Sequence, residues 1–317
     1  MQNWENEFTI CSFQFCFAFL LFPLMANFTI ITIPADPKRK SKNFFRFVLC
    51  AMLFLQGGSD MKQYIVDAFT DTLFKGNQAA VCVMDEWIPD GLMQNIAKEN
   101  RFSETAFAVK EGDSYRLRWF TPGGEIDFCG HATLGTSYVL FTFYEKEAEA
   151  IKFTTLVGTL AVRREGDTFV MDFPAYRCRP VPVTDAMKDA IGADVLEAYL
   201  DRDLLLVLED EETVIGLRPD QKKMEGLEGL LVAVTAKGID YDCVSRVFAP
   251  KLAVEEDPVT GSAHCMITPY WCEKLGKERL VCYQASERSG LLYTGISSGR
   301  VTVAGKAVLY SEGNILQ

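Results

Sequence analysis

The sequence predicts an α+β fold built from two similar halves, and three observations support that prediction. Most short segments alternate apolar and polar residues, which is typical of half-buried strands. A few stretches have helical character, but they do not alternate regularly with the strands as a parallel β/α/β sheet requires. A short motif recurs about half-way along residues 61–317, which indicates an internal duplication.

The strands are predicted from alternation that ends at turn signals. Gly112-Asp113 and the run Pro122-Gly123-Gly124 are two such signals. The predicted strands include Met61–Phe69, Tyr115–Phe120, Gly158–Arg163 and Thr168–Phe173. Helices are predicted over Pro89–Lys98, over Asp185–Leu200, and in the apolar runs that follow Gly130 and Gly261.

The repeated motif begins with Arg-x-Phe-small-Pro and ends with a glycine turn. Its first copy runs from Arg118 to Pro122 and leads to Cys129-Gly-His-Ala-Thr133. Its second copy runs from Arg246 to Pro250 and leads to Thr260-Gly-Ser-Ala-His264. Three prolines cluster between the copies, at 174, 180 and 182, and a domain boundary is expected there. The predicted halves are residues 61–175 and 176–317.

Residues 1–60 form a hydrophobic N-terminal extension of different character. Phe8 to Ala35 carry no charge, and a Lys/Arg-rich run follows them. Residues 9–34 are long enough to be a membrane anchor. Glu5 and Glu7 precede the apolar run, which disfavours a cleaved signal peptide. We favour an over-extended start, with the working protein opening at Met61, and the anchor is the alternative.

Composition excludes several classes of function. A net charge of -11 argues against a nucleic-acid-binding protein, because such proteins need a positively charged surface. The ten cysteines form no C-x-x-C pair, so reduced thiols in a cytoplasmic protein are expected. Two histidines cannot build a typical zinc site, and no nucleotide-binding glycine motif is present. We therefore expect neither a metal nor another cofactor.

Each motif copy places a glycine directly before an apolar helix. Helix N-termini expose backbone N–H groups that bind anions, so two facing copies predict a cleft for a small carboxylate-bearing molecule. Ordinary strand-to-helix turns are the alternative. Nearby acid/base candidates are Glu104, His131, Asp257 and Asp127. Burial in a cleft is expected to raise the pKa of Glu104, although its local sequence also fits a solvent-exposed strand carboxylate.

These motifs resemble the PhzF-like (phenazine-biosynthesis-type) family, and the resemblance extends over Met61–Gln317. The matching segments are Asp67-Ala-Phe-Thr70, Phe74-Lys-Gly-Asn77, Ser103-Glu-Thr-Ala-Phe107, Phe120-Thr-Pro122 with Glu125, Cys129-Gly-His-Ala-Thr-Leu134, Glu256-Asp-Pro-Val-Thr-Gly-Ser-Ala263 and Gly299–Ala307. The resemblance implies the diaminopimelate-epimerase-like fold, with two pseudo-symmetric halves that each wrap antiparallel strands around a central helix. It also implies a homodimer and a cofactor-independent isomerase.

The resemblance assigns roles to particular residues. It implies that Glu104 is the general acid/base of a proton transfer, with His131 and Asp257 as further catalytic residues. The implied substrate-binding residues are Asn77, Gly130, Ala132, Gly261 and Ser262. The proline that often follows the asparagine in the family is Gln78 here, a departure that bears on the role of Asn77.

Two other functions stay open at this point. Racemases and epimerases of the same fold use one cysteine from each half. Cys129 matches the first thiol, but Val259 occupies the position expected for the second, which argues against this chemistry. A non-catalytic small-anion-binding protein is the other alternative, although it has no need of the whole acid/base set.

Overall fold

A computed structural model describes residues 61–316. The predictions made for residues 1–60, both the over-extended start and the anchor, lie outside the described residues. Within residues 61–316, no helix combines the length and apolarity that crossing a bilayer requires.

Strands make up most of the first half. In chain order they are β1 Met61–Ala68, β2 Asn77–Met84, β3 Glu104–Glu111, β4 Ser114–Thr121, β5 Gly124–Ile126, β6 Ala150–Thr155, β7 Gly158–Glu165 and β8 Thr168–Pro174. The helices are α1 Asp90–Asn100 and α2 Gly130–Val139, which continues into a π-helical turn over Leu140–Tyr144. All four strands predicted above are present in this half.

The second half repeats this arrangement. Its strands are β9 Arg179–Val181, β10 Glu197–Leu200, β11 Leu204–Val207, β12 Val232–Lys237, β13 Cys243–Ala249, β14 Val254–Asp257, β15 Arg279–Gln284, β16 Gly290–Ser297, β17 Arg300–Gly305 and β18 Ala307–Ile315. Its helices are α3 Asp185–Ile191, α4 Glu211–Gly216, α5 Gln221–Glu225, a 3-10 turn over Pro250–Leu252, and α6 His264–Leu275.

The order of strand pairing confirms the predicted duplication. One series of hydrogen-bonded neighbours runs β18–β1–β2–β3–β4–β6–β7–β8. The other runs β9–β10–β11–β12–β13–β15–β16–β17. Parallel pairs occur at matching places, β2 with β3 and β4 with β6 in one series, β11 with β12 and β13 with β15 in the other. The fold is therefore α+β with two pseudo-symmetric diaminopimelate-epimerase-like halves.

Each series packs around one helix. The helix α2 contacts β1, β2, β3, β8 and β18, and α6 contacts β15, β16 and β17. Nearly every residue of α2 is buried, so its hydroxyls bond within the helix: Thr136 Oγ1 donates to Ala132 O at 2.7 Å. Gly135 faces β2, where a Cβ on it would be in van der Waals contact with Ala79 Cβ at 3.5 Å.

The arginine of each repeated motif has a structural role. Arg118 on β4 donates two hydrogen bonds of 2.7 Å to the Glu125 carboxylate on β5. Arg246 on β13 does the same with Glu256 on β14, at 2.7 and 2.8 Å. Such bidentate pairs fix geometry as well as charge. Each pair holds a short strand that leads directly into a glycine turn.

The helix predicted over Asp185–Leu200 is too long. It ends at Ile191 because Gly192 adopts the left-handed conformation of a helix C-cap, with φ of 73°. Residues Glu197–Leu200 form β10 instead. Their alternation of half-buried and buried side chains fits a strand better than a helical face.

Hydrogen bonds between strands also connect the two series. β8 of the first series pairs with β17 of the second over six residues. The last strand, β18, follows β17 in the chain but pairs with β1 along its whole length. Residues 307–315 therefore complete the first series, although they come from the predicted second half. The boundary placed between residues 175 and 176 stays a prediction.

Gly305→Ala should destabilise the fold. A Cβ at Gly305 would lie 2.4 Å from Cδ1 of Phe69, whose ring is fully buried and whose backbone is already left-handed, with φ of 64°. Overpacking of this kind costs about 1–3 kcal/mol in the free energy of unfolding, measurable by urea denaturation. Gly313→Ala, with no atom within 4 Å of the added Cβ, is the matched control and should change stability by less than about 0.5 kcal/mol.

Candidate active site

A cavity of about 330 Å³ contains most of the predicted site residues. Its wall combines residues from both halves, among them Glu104, Gly130, His131, Asp257, Gly261 and Ser262. Asn77 and Ala132 lie behind that wall, where they are 1 % and 0 % exposed. The fold thus brings together eight residues that are as much as 185 positions apart in the sequence.

The two glycine turns meet at this cavity. A Cβ built on Gly130 would be 3.7 Å from the Cα of Gly261, so the turns approach each other closely. Gly130 opens α2, and Gly261 begins the turn that leads into α6. Neither helix receives a side-chain cap at its N-terminus. In α6 the N–H groups of His264 and Cys265 already donate to the carbonyls of Gly261 and Ser262. The N–H groups that can bind an anion are therefore those of the two glycine turns themselves.

Glu104 and His131 form an ion pair in the cavity wall. Glu104 is the first residue of β3, and His131 is the second residue of α2. The distance from His131 Nε2 to Glu104 Oε2 is 3.1 Å, and the side chains are only 6 % and 14 % exposed. Oε2 is the buried oxygen of the carboxylate, and the contact with His131 holds the side chain in place.

The electrostatics of this pair differ from the sequence-based expectation. Burial raises the pKa of Glu104. The charge of His131 lowers it, and so do hydrogen bonds from His131, Ser103 and Cys129. These lowering effects outweigh burial, so the pKa lies below 4.5. The expectation of a raised pKa is wrong, because the partner histidine could not be located from sequence. Burial lowers the pKa of His131, whereas Cys129 and Glu104 raise it to well above 6.5. A carboxylate and an imidazolium result at neutral pH.

Asn77 ties this pair to the other half. Its Nδ2 donates to Asp257 Oδ1 at 2.6 Å and to the Val259 carbonyl at 3.0 Å. These two bonds use both amide hydrogens. His131 Nδ1, 3.1 Å from the same nitrogen, is thus free to keep its own proton and to donate it towards Cys129 Sγ at 3.5 Å.

Asp257 is the second carboxyl group of the cavity. Besides Asn77, Thr260 Oγ1 donates to it, to Oδ2 at 2.7 Å. Burial is the largest influence and raises the pKa of Asp257 to about 6, against smaller lowering effects of His131, Thr260 and Asn77. The site therefore holds two carboxyls with separated pKa values, a common arrangement for acid/base chemistry.

Glu104, Cys129 and His131 are also close enough to be metal ligands, with candidate ligand atoms within 4.8 Å of one another. Their contacts favour a hydrogen-bonded group instead. Cys129 contacts Nδ1 and Glu104 contacts Nε2, so each ring nitrogen already has a neighbour. Burial raises the pKa of Cys129 to about 11, which keeps the thiol protonated, whereas metals bind thiolates. The absence of a metal stays a prediction.

Several other residues lie where the sequence could not place them. Arg202, in the turn before β11, lines the cavity and donates to Ser262 Oγ at 3.1 Å, and no motif signals it. Asp127 is exposed at the rim of the cavity. His264 is fully buried within α6, and its Nδ1 contacts the Thr260 carbonyl at 2.9 Å. Only one of the two histidines thus lines the site.

Comparison with known proteins agrees with this architecture. The family model described as phenazine biosynthesis-like protein matches residues 66–313. An uncharacterised isomerase of Pseudomonas aeruginosa is 47% identical over 250 residues, which cover 79% of this chain and 96% of that protein. A crystal structure of a PhzF-family phenazine biosynthesis protein from Enterococcus faecalis has a TM-score of 0.80 at 47% identity, covering 81% of this chain and 100% of its own.

A more distant structure shares the fold alone. A hydroxyproline epimerase from Agrobacterium vitis has a TM-score of 0.54 at 8% identity, over 81% of this chain and 93% of that one. The fold and site together define an isomerase with the diaminopimelate-epimerase-like architecture. The chain belongs to the phenazine biosynthesis-like family.

Asp257→Asn should change how stability depends on pH. The pKa of Asp257 rises from an ordinary 3.8 to about 6 on folding, so the folded state binds the proton more tightly. That contribution to stability is complete below the unfolded pKa and is lost as pH rises through about 6. Relative to the variant, the wild type should lose at most about 2 kcal/mol of unfolding free energy between pH 4.5 and 7.5.

Urea denaturation at the two pH values measures this difference. Asp113→Asn, in an exposed turn, is the control and should follow the wild type at both. Parallel stability curves for Asp257→Asn and the wild type would show that the carboxyl is not perturbed.

Proposed function

We propose that this isomerase moves a proton between positions of a small carboxylate-bearing molecule without a cofactor, with Glu104 as general acid/base. The observation that carries the proposal is the buried Glu104–His131 ion pair at the junction of two helix N-termini. It combines a fixed base with a place to hold an acid group. Both are needed to take a proton from carbon and return it elsewhere on the same molecule.

The carboxylate of the substrate would occupy the glycine turns. The uncapped N-termini at Gly130 and Gly261 offer backbone N–H groups from both halves. Their close approach supports one anion bridging the two turns, with Ala132 and Ser262 as neighbours. This binding mode leaves the rest of the substrate within reach of β3, where Glu104 lies.

Glu104 would take the proton, because its carboxylate is ionised and lines the cavity, with Oε2 fixed by His131. His131 would orient Glu104 and offset negative charge that develops on the substrate during transfer. Asn77 would act as a positioning residue that holds Asp257 beside His131. Asp257, whose pKa is about 6, would exchange a proton with the substrate from the side of the cavity that the second half forms.

Two further features belong to the proposal. Seven cysteines of the described residues are free thiols, which supports the cytoplasmic location expected from sequence. The homodimer stays a prediction.

Glu104→Gln should abolish proton transfer. The amide keeps the shape of the side chain but cannot take a proton, so we expect the rate to fall by roughly 10²–10⁴-fold. The measurement is deuterium wash-in from D₂O, followed by proton NMR, on a panel of small carboxylic acids with acidic C–H groups. Glu111→Gln, exposed at the other end of β3, is the matched control and should exchange as the wild type does. An unchanged rate in Glu104→Gln would contradict the assignment.

Cys129→Ala tests the alternative thiol chemistry. The position expected for a second thiol is Val259, which is fully buried and whose carbonyl accepts the hydrogen bond from Asn77. The Cys129 thiol is also protonated at neutral pH, since burial raises its pKa to about 11. We expect the variant to keep its exchange rate within a few-fold of the wild type in the same assay. Complete loss, with unchanged thermal stability, would favour a cysteine-dependent racemase or epimerase.

A further inference from the structure

A second cavity lies next to the first. Its volume is about 570 Å³, and its wall includes Phe128, Phe173 and Tyr176. Asp127, Phe128 and Arg202 line both cavities. The proton-transfer chemistry proposed above uses only the first cavity. The second cavity has no part in that chemistry, but it is continuous in its lining with the first through these three residues.

Arg202 lies at the junction and is held firmly at its base. Its Nε donates to Asp203 Oδ1 at 3.1 Å, and Asp203 is fully buried. The same carboxylate oxygen accepts the Leu231 N–H at 3.3 Å. The ring of Tyr176 packs against the guanidinium, 5.7 Å from its centre. The guanidinium is therefore pre-organised, which reduces the entropy that it loses on binding a ligand.

Within residues 61–316, the outer nitrogens of Arg202 bond only to hydroxyl groups. Nη1 donates to Tyr176 at 3.3 Å and Nη2 donates to Ser262 Oγ at 3.1 Å. A carboxylate offers this edge two charge-assisted hydrogen bonds, which are stronger than those to neutral hydroxyls. Arg300 lines only the second cavity, its side chain is 51% exposed, and its Nη2 already donates to the Asp172 carbonyl.

Ser262 links this guanidinium to the anion-binding turns. It follows Gly261 directly in the chain, so Arg202 and the glycine turns are separated by about one side chain. One small molecule can therefore reach both.

We propose that Arg202 binds a second anionic group of the substrate, so that the enzyme selects small molecules with two acid groups. This inference rests on the proposed function: one acid group occupies the turns at Gly130 and Gly261. The second acid group binds the outer nitrogens of Arg202, Nη1 and Nη2. The remaining apolar part of the substrate lies in the second cavity beside Phe128 and Tyr176. Asp203 is a positioning residue for Arg202.

The test compares binding of benzoate with that of isophthalate by isothermal titration. The wild type should bind isophthalate at least about tenfold more tightly, since hydrogen bonds to charged groups are worth about 1.5–3 kcal/mol. Arg202→Gln should remove this preference and leave the benzoate affinity unchanged, whereas Arg202→Lys should keep part of it. Arg300→Gln is the matched control and should keep the full preference.

Loss of Arg202 leaves Asp203 buried without its partner, so folding must be measured separately. Thermal unfolding by circular dichroism does this, and Tyr176→Phe, which keeps the arginine, should retain most of the preference. If the role of Arg202 were purely structural, Arg202→Gln would lower the affinities for benzoate and isophthalate by the same factor.

Equal affinities in the wild type, or no isophthalate binding at millimolar concentration, would overturn the role of Arg202. Benzoate bound without a preference for isophthalate would leave the carboxylate site of the proposed function standing. Failure of both probes to bind would remove that site too.

Discussion

The amide of Asn77 is the interaction on which the site depends. It lies at the start of β2 in the first half, and both of its hydrogens go to acceptors of the second half, the carboxylate of Asp257 and the carbonyl of Val259. It therefore fixes the distance between the halves at the floor of the cavity. Its nitrogen also contacts His131 Nδ1 at 3.1 Å, and the charge of His131 lowers the pKa of the buried Glu104.

The two similar halves provide the scaffold of the site, and sequence differences between the two motif copies provide its chemical groups. Matching ion pairs occur in the two halves, Arg118 with Glu125 and Arg246 with Glu256. Each pair fixes the short strand that precedes a glycine turn. The residues around those turns differ between the copies. His131 in the first copy corresponds to Ser262 in the second, so one half contributes a charged imidazolium and the other a hydroxyl. A symmetric scaffold thereby holds an asymmetric site.

Sequence alone predicted the class of fold and the paired turns, because strand alternation and the repeated motif are local signals. It did not predict the charge state of Glu104, since His131 is 27 residues away and only the fold brings it to 3.1 Å. Arg202 was missed because it lies in an ordinary turn between two acidic residues. The other histidine, His264, is buried at the start of α6 and does not line the cavity.

The pairing of β18 with β1 has a consequence for synthesis on the ribosome. Residues Met61–Ala68 are translated well before their partner Ala307–Ile315. The first series cannot complete its sheet until that partner has been made, and the edge of β1 stays exposed until then. Contacts of such long sequence separation also slow folding. The sheet of the first series is therefore completed by a strand that is translated after every strand of the second series.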